Sequence, residues 1–272
     1  MPIITLLTDF GVEDEYVGIM KGVILTINPS ATIVDISHHI DPQDLLRAAY
    51  MIQVSYKYFP PGTVHVAVVD PGVGSDRDII AVKTKEHILL APDNGVLTFL
   101  NNDKRIEAIV RVENPDYFLD TVSQTFHGRD IFAPVAAHLS AGLDISKLGP
   151  PLDQQNLVTL CIHEPYVSEN DELIGTIASI DRFGNLITNI DEKTLKKFRK
   201  TASGTLLEIQ MGEYKMIGLS QSYESVEPQS ALAIMGSRGY LEIAVSCGNA
   251  EQHFIAEKGD IVRIRLTERS GH

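Results

Sequence analysis

Several places in the chain combine a carboxylate with the partners that chemistry on a ribose or at a carbon centre would need. Asp70 closes the apolar run Val64 to Val69, and Arg77 follows seven residues later. Ligands of open α/β sheets sit at the carboxyl ends of parallel strands. The pair is therefore either part of a site or an ion pair that only fixes its loop. Gly72-Val73-Gly74 in between resembles the start of a dinucleotide fingerprint, but the third glycine would have to stand at position 77. That position is Arg, and a strand pattern follows instead of a helix, so Asp70-Pro71-Gly72 reads as a turn. Asp9, in Thr8-Asp9-Phe10-Gly11, has the same placement after the first apolar run. A carboxylate there can accept both hydroxyl hydrogens of a ribose cis-diol, or it can serve as a helix cap or Asx-turn. His127, in Phe126-His127-Gly128-Arg129-Asp130, precedes a segment of small residues. It can be an acid or base, a metal ligand, or a satisfied core residue.

The second half of the chain offers two polar turns, Asp181-Arg182-Phe183-Gly184-Asn185 and Gly236-Ser237-Arg238-Gly239-Tyr240. Ser237 beside Arg238 makes a carboxylate clamp, because guanidinium presents a fork of donors to a bidentate acceptor; hairpin-turn chemistry is the alternative. Nine histidines are present, yet no HxxxH, HxH or HExxH spacing occurs, and His38 and His39 point to opposite faces if their strand runs on. No metal site is expected.

The elements that must position these residues follow from hydrophobic periodicity. Ile3 to Thr8 reads as a buried strand and Tyr16 to Ile27 as an amphipathic helix. Ala31 to Ser37 is a second strand, and Asp44 to Tyr58 a helix stopped by Pro60-Pro61. Val64 to Val69 is a third strand, Ile79 to Lys83 and His87 to Leu90 form a hairpin pair, and Arg105 to Val112 is a further strand. Asp130 to Ala141 is a helix of small residues. Alternating strands and helices signal a doubly wound α/β sheet. The texture changes near Gly149-Pro150-Pro151. Beyond it lie short alternating segments at Leu173 to Ile180, Leu206 to Met211, Ala231 to Met235, Tyr240 to Ser246 and Asp260 to Leu266, with one basic helix from Glu192 to Lys200. The expected organisation is an α/β domain over 1–160, a linker over 161–169 and a mostly β domain, sandwich or barrel, over 170–272.

Composition narrows the function. The chain has 272 residues with 23 Lys and Arg against 36 Asp and Glu, a formal net charge of −13. Such a chain lacks the basic face that nucleic acid or an anionic membrane requires. Trp is absent and aromatics are 7%, which argues against a carbohydrate-stacking surface. No apolar run approaches the roughly 18 residues of a membrane span, and the first residues carry no basic leader, so a cytoplasmic protein is expected. Cys161 and Cys247 lie far apart in no metal spacing and are expected to be reduced, small core residues.

Six motifs occur in one order along nearly the whole chain: TDFG followed by Asp14, DPGVGS with Arg77, APDNG, FHGRD, DRFGN and GSRGYLEIAV. Together they resemble the S-adenosylmethionine hydroxide adenosyltransferase family, adenosine-forming hydrolases related to the fluorinase and chlorinase. The resemblance implies a Rossmann-like α/β N-terminal domain followed by a smaller, barrel-like β domain. It also implies a homotrimer whose active sites lie between one subunit's N-terminal domain and a neighbour's C-terminal domain.

The implied reaction is attack of water at C5′ of S-adenosylmethionine, giving adenosine and L-methionine with no cofactor and no metal. The family's water-activating set falls on Asp70, Arg77 and His127, with His127 either orienting the water or taking its proton. The halogenases are similar elsewhere but carry an aromatic residue in place of this Asp and lack the His, so the resemblance favours water over halide. Asp9 matches the ribose carboxylate. Asp14, Asp181, Ser237 and Arg238 match the methionine end, Asn185 the adenine edge and Tyr223 an aromatic that stacks on adenine. The halogenases have an Arg where this chain has Val245, and the Asn249-Ala250 backbone is the candidate for adenine contacts there. The alternatives are a non-catalytic adenosine or S-adenosylmethionine binder and a halide-using 5′-halo-adenosine synthase.

Overall fold

A computed structural model describes residues 2–101, 103–161, 163–200 and 205–268. The chain divides into two compact units, Met1–Cys161 and Ile162–His272.

The first unit is built on a six-stranded sheet. Its strands are β1 (Ile3–Thr8), β2 (Thr32–Ser37), β3 (Val64–Val68), β4 (Ile79–Thr84), β5 (Ile88–Pro92) and β6 (Ile106–Arg111), in the order β2-β1-β3-β5-β4-β6. Strands β2, β1, β3 and β5 run parallel, and β4 is antiparallel to both of its neighbours. The antiparallel insertion follows from chain length: only residues 85–87 join β4 to β5, and so short a link makes a hairpin, never a parallel crossover. Every residue of β3 is buried, as is all of β1 beyond Ile3. Continuous apolar runs of this kind belong to parallel strands covered on both faces.

The covers are three helices, α1 (Tyr16–Ile27), α2 (Leu45–Ser55) and α3 (Ala133–Ser140). Met20 and Ile24 of α1 and Ala133, Ala136 and Ala137 of α3 pack with Ile4, Leu6, Val64 and Val66 on one face. Ala48 and Ile52 of α2 pack with Leu7, Ala67 and Val69 on the other. The result is the Rossmann-like α/β layering that the sequence implied.

Two helix ends differ from expectation. The helix expected through Tyr58 ends as α at Ser55 and tightens into a 3₁₀ turn over Tyr56–Tyr58. The helix expected from Asp130 begins with a π turn over Gly128–Phe132 and is α-helical only from Ala133. Such wide turns are rare and concentrate at functional sites.

The second unit is an antiparallel sheet of eight strands. They are β7 (Tyr166–Val167), β8 (Leu173–Ile180), β9 (Leu186–Asp191), β10 (Thr205–Met211), β11 (Tyr214–Ile217), β12 (Ala231–Met235), β13 (Tyr240–Val245) and β14 (Ile261–Glu268). The order is β11-β10-β14-β8-β9-β13-β12, with β7 on β8. An isolated bridge between Ser220 and Ile234 links the segment after β11 to β12, so the sheet curls toward closure and is barrel-like. Helix α4 (Glu192–Arg199) is capped by Asp191, whose side chain accepts from the Thr194 N–H, and buries Leu195 and Phe198. Strands β7, which falls in the expected linker, β9 and β11 and the short helix α5 (Ala250–Phe254) are elements that the sequence patterns did not mark.

The two cysteines depart from expectation in one respect. Cys161 and Cys247 are free thiols, but both are exposed, not core residues. Each sits in a connection outside the regular elements, where no apolar face closes over it. Among the described residues no helix is long and apolar enough to cross a membrane, and no group of three or more His, Cys, Asp or Glu could hold a metal ion.

Candidate active site

Asp70 and Arg77 face each other across the loop that leaves β3. Arg77 Nε donates to Asp70 Oδ1 and Oδ2 at 3.0 and 2.9 Å, and its Nη2 donates to Oδ2 as well. The side chains are 11% and 4% exposed, so this is a largely desolvated, fork-on-carboxylate pair. The same Nη2 also lies 2.9 Å from His127 Nδ1. A guanidinium has donors and no lone pair, so Nδ1 is the acceptor and the neutral ring keeps its proton on Nε2. Burial lowers the pKa of His127, the Arg77 charge lowers it further, and the opposing pulls of Asp70, Asp130 and the Ser123 backbone do not restore it. His127 is therefore the neutral imidazole near pH 7.

Residues 50 positions apart in the chain meet because two loops are locked together. Gly74 adopts φ +77°, and a Cβ there would lie 2.3 Å from the Gln124 carbonyl oxygen. Only glycine allows the 70–77 loop to lie this close to the loop carrying His127. That second loop is organised by Asp130, which is completely buried. The Asp130 carboxylate accepts from Ser123 N at 2.8 Å, Ser123 Oγ at 2.7 Å and Arg129 Nε at 2.6 Å. Burial pushes the Asp130 pKa up, but the hydrogen bonds from Arg129 and Ser123 outweigh it and hold the carboxyl below its ordinary range.

A cleft of about 420 Å³ opens at the carboxyl end of the parallel strands, and Asp9, Gln43, Asp70 and His127 line it. Asp9 Oδ2 accepts from Gln43 N at 2.9 Å. Phe10, Tyr16 and Phe126 form its apolar wall, with ring centroids 5.0 to 5.9 Å apart. Asp9, Asp70 and His127, three of the residues expected from sequence, thus share a single cleft, and Arg77 is joined to it through Asp70 and His127. Asp14 does not itself line the cleft; it is exposed in the bend before α1.

The remaining expected residues lie in the second unit. Asp181 Oδ1 accepts from the backbone N–H groups of Phe183 and Asn185 at 2.8 and 2.9 Å, and Oδ2 accepts from Asn185 Nδ2 at 3.1 Å. The two side chains clamp each other across the β8–β9 turn, an Asx-type arrangement. Ser237 and Arg238 are exposed at the tip of the β12–β13 hairpin. Tyr223 donates its hydroxyl to Glu242 Oε2 at 3.0 Å, and burial together with Glu242 pushes the phenol up to about 12. Glu242 is buried, and burial raises its pKa against the downward pulls of Tyr223 and Arg238.

Three residues of these surroundings escaped the sequence reading. Glu242 had a signal, a lone carboxylate inside the apolar strand Tyr240–Val245. Asp130 was noted only as part of a helix start, and nothing local reveals that it is buried. Gln43 acts through its backbone at φ +67°, which its residue type does not announce.

Comparison with known proteins adds the following. Residues 4–149 match the family model of the SAM hydroxide adenosyltransferase N-terminal domain, and residues 175–263 that of the C-terminal domain. The chain is similar to an (R)-S-adenosyl-L-methionine hydrolase of Methanocaldococcus jannaschii, 38% identical over 93% of this chain and 91% of that protein. It is also similar to a fluorinase of Nocardia brasiliensis, 28% identical over 97% of each chain. Among solved structures, an uncharacterized conserved protein from Thermotoga maritima superimposes with a TM-score of 0.87 at 39% identity, over 96% of this chain and 99% of that one.

Proposed function

This chain belongs to the SAM hydroxide adenosyltransferase family, and from that premise we propose that it hydrolyses S-adenosyl-L-methionine to adenosine and L-methionine by attack of water at C5′. The observation that carries the reading is the single guanidinium of Arg77 held between Asp70 and His127, the set that the family resemblance assigns to water.

The chemistry suits these groups. The water oxygen forms a bond to C5′ as the C5′–S bond breaks, and that bond's electron pair neutralises the sulfonium. Methionine leaves as a thioether, so sulfur needs no general acid. One proton must leave the water. Asp70 lines the cleft and, with two Arg77 N–H groups on its carboxylate, keeps lone pairs for a further donor. His127 Nδ1 is occupied by Arg77. We therefore assign proton acceptance to Asp70 and assign His127 to holding Arg77 and, through it, the orientation of the carboxylate. A positioned base contributes about 10²–10⁴-fold, and holding the water in line with the C5′–S bond contributes several kcal/mol more.

Asp9 takes the ribose diol in this reading. Asn185 and Tyr223 take the adenine, and Asp14, Asp181, Ser237 and Arg238 the methionine end. The proposal includes a homotrimer in which a neighbouring copy's second unit completes each cleft. Apolar exposure at the cleft, with Tyr16 at 41% and Val73 at 37%, and at the β8–β9 turn, with Phe183 at 76%, supports such a contact. Sedimentation at three times the chain mass of 29.9 kDa is expected, and a monomer contradicts it. No metal and no cofactor take part, so a chelator leaves turnover unchanged. Free thiols at Cys161 and Cys247 fit a cytoplasmic location.

Incubation with S-adenosylmethionine in the presence of chloride, followed by chromatography, tests the reaction. Equimolar adenosine and methionine are expected. Bound but uncleaved substrate would make the chain a binding protein, and a chloride-dependent 5′-chloro product would make it a halogenase.

A further inference from the structure

A run of side-chain hydrogen bonds, joined at one place by an ion contact between Asp35 and His38, leads from the surface of the first unit to the loop that carries Asp9, and no step derived above uses it. Lys21 Nζ donates to Asp35 Oδ2 at 2.6 Å. Asp35 Oδ1 faces His38 Nε2 obliquely at 3.1 Å. On the other side of the ring, His38 Nδ1 lies 2.8 Å from Thr8 Oγ1. Thr8 Oγ1 in turn accepts from Phe10 N at 3.2 Å.

The polarity of this chain is set by its ends. Beside the Asp35 carboxylate, which can only accept, the neutral imidazole keeps its proton on Nε2, and Nδ1 then accepts from the Thr8 hydroxyl. The hydroxyl's lone pair is then the one aimed at the Phe10 amide. His38 acts a second time through its main chain, because its carbonyl accepts from Gly11 N at 2.8 Å. Gly11, at φ +69°, allows the chain to turn back far enough to make that contact. The Phe10 and Gly11 amides, which follow Asp9, are therefore both fixed from residue 38.

Holding the sheet together does not account for this arrangement. The last paired residues of β1 and β2 are Leu7 and Ser37, so the Thr8–His38 contact lies just past the end of that ladder, while Thr8 itself still pairs with Val68 of β3. Both are buried, Thr8 completely and His38 at 4% exposure. What lies beyond them is the wall of the cleft, where Asp9 and Phe10 stand.

We infer that Thr8 and His38 are positioning residues that aim the Asp9 carboxylate at the ribose hydroxyls of the nucleoside, with Asp35 and Lys21 anchoring His38 from the surface. The inference rests on the reading of the cleft as an adenosine site and deepens it: recognition of the cis-diol is a property of the Thr8–His38 pair as much as of Asp9.

Calorimetric binding of adenosine and 2′-deoxyadenosine to the full-length wild type and variants is the test. The wild type should prefer adenosine by about tenfold, the worth of one good hydrogen bond to a charged acceptor. Thr8→Val keeps the shape but deletes the hydroxyl, and should bring the two affinities within about twofold. Thr8→Ser should restore the preference. A purely structural role would weaken both ligands equally and leave their ratio intact. Asp35 is 38% exposed and does not line the cleft, so Asp35→Asn reports even if Thr8→Val does not fold; it should narrow the ratio in the same direction. A folded Thr8→Val with the wild-type ratio, or Asp35→Asn with an unchanged ratio where Thr8→Val does not fold, overturns the inference while leaving the function intact. A wild type that binds both nucleosides equally, or neither, refutes the assignment of Asp9 itself, and the inference falls with it.

Discussion

Arg77 Nη2 donates to His127 Nδ1 across 2.9 Å while Nε of the same guanidinium lies on both oxygens of Asp70. One planar cation thereby fixes the orientation of a carboxylate and the tautomer of an imidazole. Lysine cannot replace it, because an ammonium is a point charge without the fork. Arg77→Lys is expected to lower kcat by about 10²-fold while KM for S-adenosylmethionine changes little. Steady-state kinetics on the purified variant measures this, and near-normal turnover would remove the bridging role.

The pH profile follows from the same contact. Burial and then the Arg77 charge hold His127 below its ordinary value of 6.5. Protonation at Nδ1 would break the bond from Arg77 and set two cations together. The active form is thus the neutral ring, so activity is full above pH 6.5 and falls as the pH drops through the lowered pKa. The acid limb of kcat/KM should have its midpoint below 6.5. Arg77→Met, whatever its residual rate, should move the imidazole titration observed by NMR upward, since the second cause of the depression is gone. A downward shift in that variant would contradict the assignment.

Gly74 predicts a linked loss of stability and rate. Alanine there meets both a left-handed backbone at φ +77° and the Gln124 carbonyl at 2.3 Å. Strain of this kind costs about 1–3 kcal/mol, and relief by loop separation would pull Asp70 and Arg77 away from His127. Gly74→Ala should lower the urea midpoint and kcat together. A variant that keeps both would show that the loops need not touch.

His65 makes a separate prediction about stability. Its Nδ1 pairs with Thr5 Oγ1 at 2.8 Å, and its ring packs against Tyr56, Phe59 and His87. Burial, helped by the nearby His87, pushes it down to about 3. Between pH 6.5 and about 3 the unfolded chain binds a proton here that the folded chain refuses. Stability is therefore fully present above pH 6.5 and falls on acidification, by about 1.4 kcal/mol per pH unit for this one proton. Urea titrations at pH 7 and pH 5 measure the slope. His65→Gln should flatten it, and an equally steep slope in that variant would place its origin elsewhere.

What was legible in the sequence was what depends on neighbours in the chain. Ile3–Thr8 and Tyr16–Ile27 were readable to the residue, one as a continuous buried run and the other as an apolar stripe at helical spacing. Strand β9 was hidden because Thr188, Asn189 and Asp191 interrupt its apolar run, although Leu186, Ile187 and Ile190 are buried. Strand β11 was hidden because, of its four residues, only Met216 is buried. The site was legible as types and order, through its motifs, but not as geometry. Nothing within ten residues of His127 announces that Nδ1 faces Arg77, nor that Asp130 is buried beneath the loop. These contacts are long-range consequences of the sheet. The cysteines were misplaced for the converse reason, since a small apolar residue type says nothing about whether a loop closes over it.

Turnover of S-adenosylmethionine in ¹⁸O-labelled water, read by mass spectrometry, tests the central claim most directly. Attack of water at C5′ places one ¹⁸O in the 5′-hydroxyl of adenosine and none in methionine, with one adenosine per methionine. Unlabelled adenosine, or a 5′-halo nucleoside in its place, would contradict the account.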